Sequence, residues 1–285
     1  MFAQTSATMI AFAANSLLCR AALRGGAIDA VSFTAIRLAS GTVVLVAITQ
    51  LQRGPDDAGR DGSWRAAIAL GLDALAFSLA YLRLGAGAGA LLRFGAVQLT
   101  MIAGGLLGGD RPSLRQWAGL AAAAAGMVVI NLPSLDAPAP GGAALMIGAG
   151  VAWGLYSLYG RGARRPIRAT AGNFVRCLPL TAGFAAIAVA TTAQVTARGA
   201  VLAAVSGAIT SGLGYCVWYA VLPSLGAARA AIVQLSVPAI ASLGGIVLLD
   251  EPLRRHVAIG GAIILGGLGL ALWQRRRLPV AAAAR

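Results

Sequence analysis

The sequence predicts an all-α integral membrane protein with ten transmembrane helices, built as two inverted five-helix repeats. Three observations carry this expectation. Hydrophobic residues make up 58% of the 285 positions and charged residues 11%, against about 45–50% and about 25% in soluble domains. The charges cluster and leave apolar runs near 20 residues, the length that crosses a hydrocarbon core about 30 Å thick. The chain also matches itself at a constant offset of 141 residues.

Polar or helix-breaking residues delimit each element. The segment 3–22 opens in MFAQTSATMIAFAANSLL, which lacks the charged start of a cleaved leader and runs directly into a full apolar stretch; it reads as the first membrane helix. Gly25-Gly26 and Asp29 separate it from 30–51, and a loop holding Arg53, Asp56, Asp57, Arg60 and Asp61 precedes 65–83. The glycine-rich LGAGAG leads into 86–107, and GGDRPS separates that run from 114–133. Pro133, Pro138 and Pro140 precede 141–160, the arginines from 161 to 168 precede 170–192, and Arg198 precedes 199–221. Pro223 and Gly226 introduce 226–248, while Asp250-Glu251-Pro252 introduces 255–273 and its Arg-rich tail. Hydrocarbon offers the backbone no hydrogen-bond partners, so these runs are expected to be helices. A closed barrel would require runs of about ten residues with alternating polarity.

Arginine counts orient the chain. Ten spans put both termini on the side of Arg53, Arg60, Arg65, Arg111, Arg115, Arg161, Arg164, Arg165, Arg168, Arg275, Arg276, Arg277 and Arg285. The opposite side holds Arg20, Arg24, Arg83, Arg198, Arg254 and Arg255. Both termini are therefore expected in the cytoplasm.

At the offset of 141, Phe12, Ser16, Leu17 and Arg20 fall on Trp153, Ser157, Leu158 and Arg161. Farther on, LGAGAGALL falls on LGAARAAIV, Gly104 on Gly245, Asp110 on Glu251, Gly119 on Gly260 and Gly126 on Gly267. A slip of two also pairs Arg37 with Arg176. Such persistence divides the chain into repeats 1–135 and 136–285. Each half has an odd number of spans, so the halves must be inverted, as in carriers whose substrate site lies between rocking repeats. The stretch LLDEPLRRHV, with the only Glu and only His of the chain, then reads as a repeated turn rather than a catalytic cluster. Its counterpart is LGGDRPSLRQW, and in both the acid is expected to favour the start of the helix that follows, with Pro suited to the same place.

FAANSLLCR with AWGLYSLYGR, and GGDRPSLRQWAGLAAAAAGMVVI with LLDEPLRRHVAIGGAIILGGLGLAL, resemble the EamA-type branch of the drug/metabolite transporter superfamily over essentially the whole chain. The resemblance implies a ten-helix carrier of small metabolites in a bacterial inner membrane, often acting outward, as do YddG-type exporters of neutral and aromatic amino acids. The acid at 110 is Asp where many members have Glu. The first helix carries Asn15 rather than the Glu of the small multidrug transporters, so proton antiport is not implied and facilitated transport is expected, with Asp73 as the one candidate proton carrier.

Five ionisable residues fall within the expected spans: Arg37, Asp73, Arg93, Arg176 and Arg229. Intramembrane charges are functional candidates by default. Arg229 lies near a helix end and is expected to snorkel, and Arg37 and Arg176 are expected to bond loop or helix-end carbonyls. Asp73 and Arg93 both fall in the middle region of neighbouring antiparallel helices, about 8 Å apart in depth; they can pair, or Arg93 can attract a substrate carboxylate and Asp73 an ammonium. Phe77 with Tyr81, Trp153 with Tyr156, and Tyr215 with Tyr219 are one turn apart, and Trp218 aligns with Phe77. With Asn15, Gln98 and Gln234 they are candidates for an apolar pocket holding a few polar groups. Pro238 has no counterpart in the first half and is a candidate hinge. Gly104-xxx-Gly108 and Gly105-xxx-Gly109 are spaced for close helix contact.

The +14 formal charge does not read as a nucleic-acid interface, because the arginines sit at the ends of apolar runs rather than on a solvated face. Cys19, Cys177 and Cys216 have neither disulfide nor zinc spacing. No HExxH or membrane-embedded acidic cluster supports an enzyme, and no selectivity sequence supports a channel. The expected partners are a small-molecule substrate and the lipid bilayer, with no cofactor or metal and a single chain as the working unit.

Overall fold

The computed structural model describes residues 2–23, 26–51, 61–84, 86–131, 139–191, 194–248 and 255–272. Among these the architecture is helical, with one isolated antiparallel bridge between Ile28 and Val195. The first half supplies α1 (Phe2–Leu23), α2 (Ala30–Leu51), α3 (Trp64–Tyr81), α4 (Ala86–Leu107) and α5 (Leu114–Asn131). The second supplies α6 (Pro140–Gly160), α7 (Pro166–Arg176), α8 (Leu178–Thr191), α9 (Ala197–Val205), a π-helical stretch Ser206–Leu213, α10 (Gly214–Gln234), α11 (Ser236–Leu248) and α12 (Arg255–Leu272). Each expected span overlaps at least one described helix. Among the described residues seven helical stretches are long and apolar enough to cross a membrane, and the α7–α8 pair, bent by 43°, makes up to eight. Helix α5 and helix α11 are shorter apolar helices.

The second half is more broken than the first, and its breaks have residue-level causes. Pro179 has no N–H and crowds the carbonyl four residues earlier, so the chain bends at Cys177, whose own N–H contacts the Asn173 and Phe174 carbonyls. Within α10, Gly226 adopts φ 71° and ψ 165°, a conformation open to residues without Cβ. Helix α10 gives way to α11 at Leu235, three residues before Pro238. The missing Pro238 N–H leaves the Gln234 carbonyl without its usual partner, which accounts for a break there.

Side-chain caps hold several helix starts. Asp29 Oδ1 accepts from the Val31 and Ser32 N–H groups, and Ser63 Oγ from Ala66. Ser113 and Gln116 form a reciprocal capping box at the start of α5, with Ser113 N–H donating to Gln116 Oε1 at 2.7 Å. This corrects the role expected for Asp110, whose carboxylate instead accepts the Ala227 N–H at 3.1 Å, just after the Gly226 kink. The corresponding expectation for Glu251 lies outside the described residues, as do the tail arginines Arg275, Arg276, Arg277 and Arg285 and the repeat boundary at 135–136.

Helices α5 and α12 pack along a glycine seam. A Cβ on Gly119 would meet the Gly267 oxygen at 2.5 Å, and one on Gly126 would meet the Gly260 oxygen at 2.6 Å. The helices therefore cross antiparallel with their backbones in contact. Along this seam the glycines are seven residues apart, whereas Gly150 and Gly154, four apart, bring α6 against Arg93 and Thr100 of α4, and Gly104 and Gly105 make close contacts with two different helices. Those two glycines face Leu158 and Ala227 separately, and Gly109 serves a turn at φ 86°.

Candidate functional site

Two adjoining cavities lie between the helices, with accessible volumes of about 100 Å³ and 20 Å³. They share Ser16, Arg93, Phe94 and Val237 as walls. The smaller is completed by Phe12, Asn15, Trp153, Tyr215 and Gln234. The larger adds Arg20, Phe77, Tyr81, Ile130, Pro238 and Ser242 among others, and so reaches toward the end of the bundle where α1, α3 and α5 finish. Both halves of the chain supply walls.

The structure joins the two central charges. Arg93 Nη2 donates to Asp73 Oδ1 at 2.8 Å; the carboxylate side chain is 1% exposed and the arginine side chain 15%. The Arg93 guanidinium carbon lies 4.7 Å from the Phe77 ring centre, 5.9 Å from Phe94 and 5.7 Å from Trp153, distances at which a cation is attracted to ring faces. Arg93 Nε is buried without an acceptor among the described residues.

Arg37 corrects an expectation. It is 2% exposed and among the described residues bonds side chains rather than carbonyls: its Nε donates to Ser211 Oγ at 2.8 Å and its Nη2 to Tyr215 Oη at 2.6 Å. The reason is the π-helical stretch, which carries Ser206, Thr210 and Ser211 to α1 and α2. Ser206 Oγ donates to Asn15 Oδ1 at 2.6 Å, and Thr210 Oγ1 lies 3.1 Å from the same oxygen. Such π-helical insertions often mark functional sites. Arg176 does bond carbonyls, those of Asp61 and Gly172, at 3.0 Å each.

Of the candidate pocket residues, Asn15, Phe77, Tyr81, Trp153, Tyr215 and Gln234 line the cavities, together with Arg93 and the hinge candidate Pro238. Gln98, Tyr156, Trp218 and Tyr219 do not. Gln98 Nε2 donates to the Ala231 carbonyl at 2.7 Å, at the helix turn that breaks before α11. The Trp218 indole donates to Ser157 Oγ at 3.0 Å and the Tyr219 hydroxyl to the Tyr156 carbonyl at 3.0 Å, so both polar tips are satisfied inside the core. Tyr156 stacks at 5.5 Å on Trp153 and supports the wall from behind. Trp153 Nε1 in turn donates to Gln234 Oε1 at 2.6 Å, a link between the α6 and α10 walls. Phe94 and Ser16 join the cavity walls beyond the residues the sequence pattern points to. Phe94 follows Arg93 directly, and Ser16 lies in the repeated FAANSLLCR segment, so both had a local signal.

At the opposite end of the bundle Asp110 accepts from Arg161 Nη2 and from the Ala227 N–H, each at 3.1 Å. One carboxylate thereby ties together the ends of α4 and α6 and the helical turn after Gly226. Beside it a polar cleft is lined by Asp110, Arg111, Gln116 and Arg229, which places Arg229 near a helix end as expected.

The model of the EamA-like transporter family matches residues 4–132 and 140–273. A Pseudomonas aeruginosa protein described only as uncharacterized is 48% identical over 271 residues, which cover 95% of this chain and 94% of that one. A solved crystal structure of a protein at 20% identity shares the fold, with a TM-score of 0.77 over 96% of this chain and 100% of that chain. With both halves matched separately, and with several apolar helices around an interior cavity, the chain is a multi-pass membrane protein that belongs to the EamA-like transporter family, within the drug/metabolite transporter superfamily.

Proposed function

We propose that the protein is an inner-membrane carrier that exports small metabolites by alternating access between two inverted five-helix halves. Neutral or aromatic amino acids are the substrate class that the family resemblance favours. The observation that carries this reading is the cavity itself, which has walls from both halves and extends toward one end of the bundle, with the Asp110–Arg161–Ala227 tie at the other end. Inversion is supported by the α5–α12 seam. The offset of 141 converts the Gly119–Gly267 contact into the Gly260–Gly126 contact, as a two-fold axis in the membrane plane would. The contacts of Gly104 with Leu158 and of Gly244 with Leu17 correspond in the same way to within one residue.

Ten spans follow if α7 with α8 forms one, and if Ala227–Gln234 with α11 forms another. That last combination is about 33 Å long at 1.5 Å per residue. Helix α5, at about 27 Å, suffices with its flanking residues. Arginine asymmetry then puts both termini in the cytoplasm, and the cavity reaches toward the outer face.

Facilitated transport fits the Asp73–Arg93 pair, because the carboxylate is engaged by a guanidinium and is not among the residues lining the cavities. Asp73 is nonetheless the one acid within a described helix, so proton coupling through it is the second reading. Uptake by purified protein in liposomes, over a panel of amino acids, nucleosides, sugars and cationic drugs, tests both. Amino-acid uptake independent of a pH gradient is expected. Uptake confined to other classes overturns the substrate, and strong gradient dependence abolished by Asp73→Asn overturns facilitation.

A further inference from the structure

We infer that Tyr156, Ser157 and Trp218 line a second, cytoplasm-facing cavity that opens as the outer one closes, and that they meet the same cargo there. The inference rests on the carrier reading and names the part of its site that this conformation hides. In an inverted repeat, exchanging the conformations of the two halves turns one facing of a carrier into the other. Each wall residue of the open cavity therefore marks a wall residue of the hidden one, 141 positions away in the chain.

That operation sorts the walls into two sets. Phe12 maps on Trp153 and Arg93 on Gln234, and all four already line the smaller cavity. They exchange with one another and so belong to both facings. Asn15, Ser16 and Phe77 map instead on Tyr156, Ser157 and Trp218. The first three line the open cavity, whereas the second three are 0% exposed. Arg20, in the last turn of α1 and on the wall of the open cavity, maps on Arg161, which Asp110 holds at the opposite end of the bundle.

The hidden residues have the chemistry of a closed site. Trp218 Nε1 donates to Ser157 Oγ at 3.0 Å, a side-chain pair that on parting offers cargo a donor and an acceptor. Tyr156 Oη is buried with no partner among the described residues, although a hydroxyl shut away from water is costly without one. That cost is relieved when the hydroxyl meets water or cargo. The Arg161–Asp110 pair beyond them is about a quarter exposed on each side, and an exposed pair of this kind is weak enough to open. Tyr in place of Asn and Trp in place of Phe make the hidden cavity the more aromatic of the two, which suits cargo with an apolar or aromatic body on the side where export begins.

The test uses the full-length chain with Cys19, Cys177 and Cys216 replaced by Ala, carrying either Ser16→Cys or Ser157→Cys. A membrane-impermeant maleimide is applied to spheroplasts and to inverted membrane vesicles. The two variants should label from opposite faces, Ser157→Cys in the inverted vesicles. Asp110→Ala, which releases Arg161 and the Ala227 N–H, should raise labelling of Ser157→Cys and lower that of Ser16→Cys. Each change should be at least about twofold, the factor that loss of an exposed ion pair gives. Tyr156→Phe keeps the ring and removes the unpartnered hydroxyl, so it should act in reverse, lowering Ser157→Cys labelling without lowering the melting temperature. Labelling of both variants from one face, a rise of both together in Asp110→Ala, or no labelling of Ser157→Cys even with Asp110→Ala overturns the inference. So does a Tyr156→Phe chain that melts lower with labelling unchanged. Liposome uptake separates this inference from the carrier reading. Reciprocal labelling with no uptake of any compound in the panel sinks the carrier reading alone, whereas phenylalanine uptake with Ser157→Cys never labelled sinks the second cavity alone.

Discussion

Gly260 and Gly261 are neighbours on α12, and replacing each with Ala should have opposite effects. A Cβ at Gly260 would lie 2.5 Å from the Gly126 oxygen, 2.6 Å from Ile130 Cγ1 and 2.8 Å from the Ile130 nitrogen. Two of these atoms are backbone and cannot swing aside, so α5 and α12 must separate by about 1 Å to restore ordinary contact. A gap of that size forfeits a quarter to a half of the dispersion attraction across it, and overpacking of this kind costs about 1–3 kcal/mol. At Gly261 a Cβ meets nothing within 4 Å, and the helix propensity gained is up to about 1 kcal/mol. For a chain of this size each kcal/mol moves the melting temperature by about 2–4 °C. In detergent, Gly260→Ala should melt several degrees below wild type and Gly261→Ala at or above it. Gly126→Ala should resemble Gly260→Ala, and the double variant should fall short of the sum because both open the same contact. Equal melting temperatures for the Gly260 and Gly261 variants would refute the seam.

Three other outcomes are expected. Trp153→Phe keeps the ring but leaves buried Gln234 Oε1 without its donor, costing about 1–3 kcal/mol; melting and liposome uptake should both fall, and unchanged values for both would show the bond to be dispensable. Asp110→Asn removes charge from the Arg161 pair, which is about a quarter exposed on each side and so contributes about 0.5–1 kcal/mol; hydrogen exchange at Ala227–Arg229 should rise severalfold, with little change at α12. Pro238→Ala restores a backbone donor to the α10–α11 junction and should raise the melting temperature while slowing uptake, whereas faster uptake would exclude a hinge at that break.

Helix positions were legible because lipid imposes a length and an apolarity that any crossing segment must meet. The offset of 141 was legible because duplication leaves matching residues at fixed spacing, and the seam glycines Gly119, Gly126, Gly260 and Gly267 are among those matches. Rotation was not. When helices are apolar on every side, composition carries no contrast between core and lipid faces. Tyr215 therefore could not be told from Tyr219, one turn away, though the first lines the cavity and the second bonds a carbonyl in the core.

The sequence by itself determined a helical, multi-pass membrane chain, its two-part repeat and its family. Only the tertiary structure decided that Asp73 turns to Arg93 and away from the cavity, that Arg37 answers to Tyr215 178 residues later, and that Asp110 caps a helix 117 residues away rather than its own. Those choices depend on how packed helices rotate against one another, and that rotation is set by glycine contacts and ring packing between segments distant in the chain.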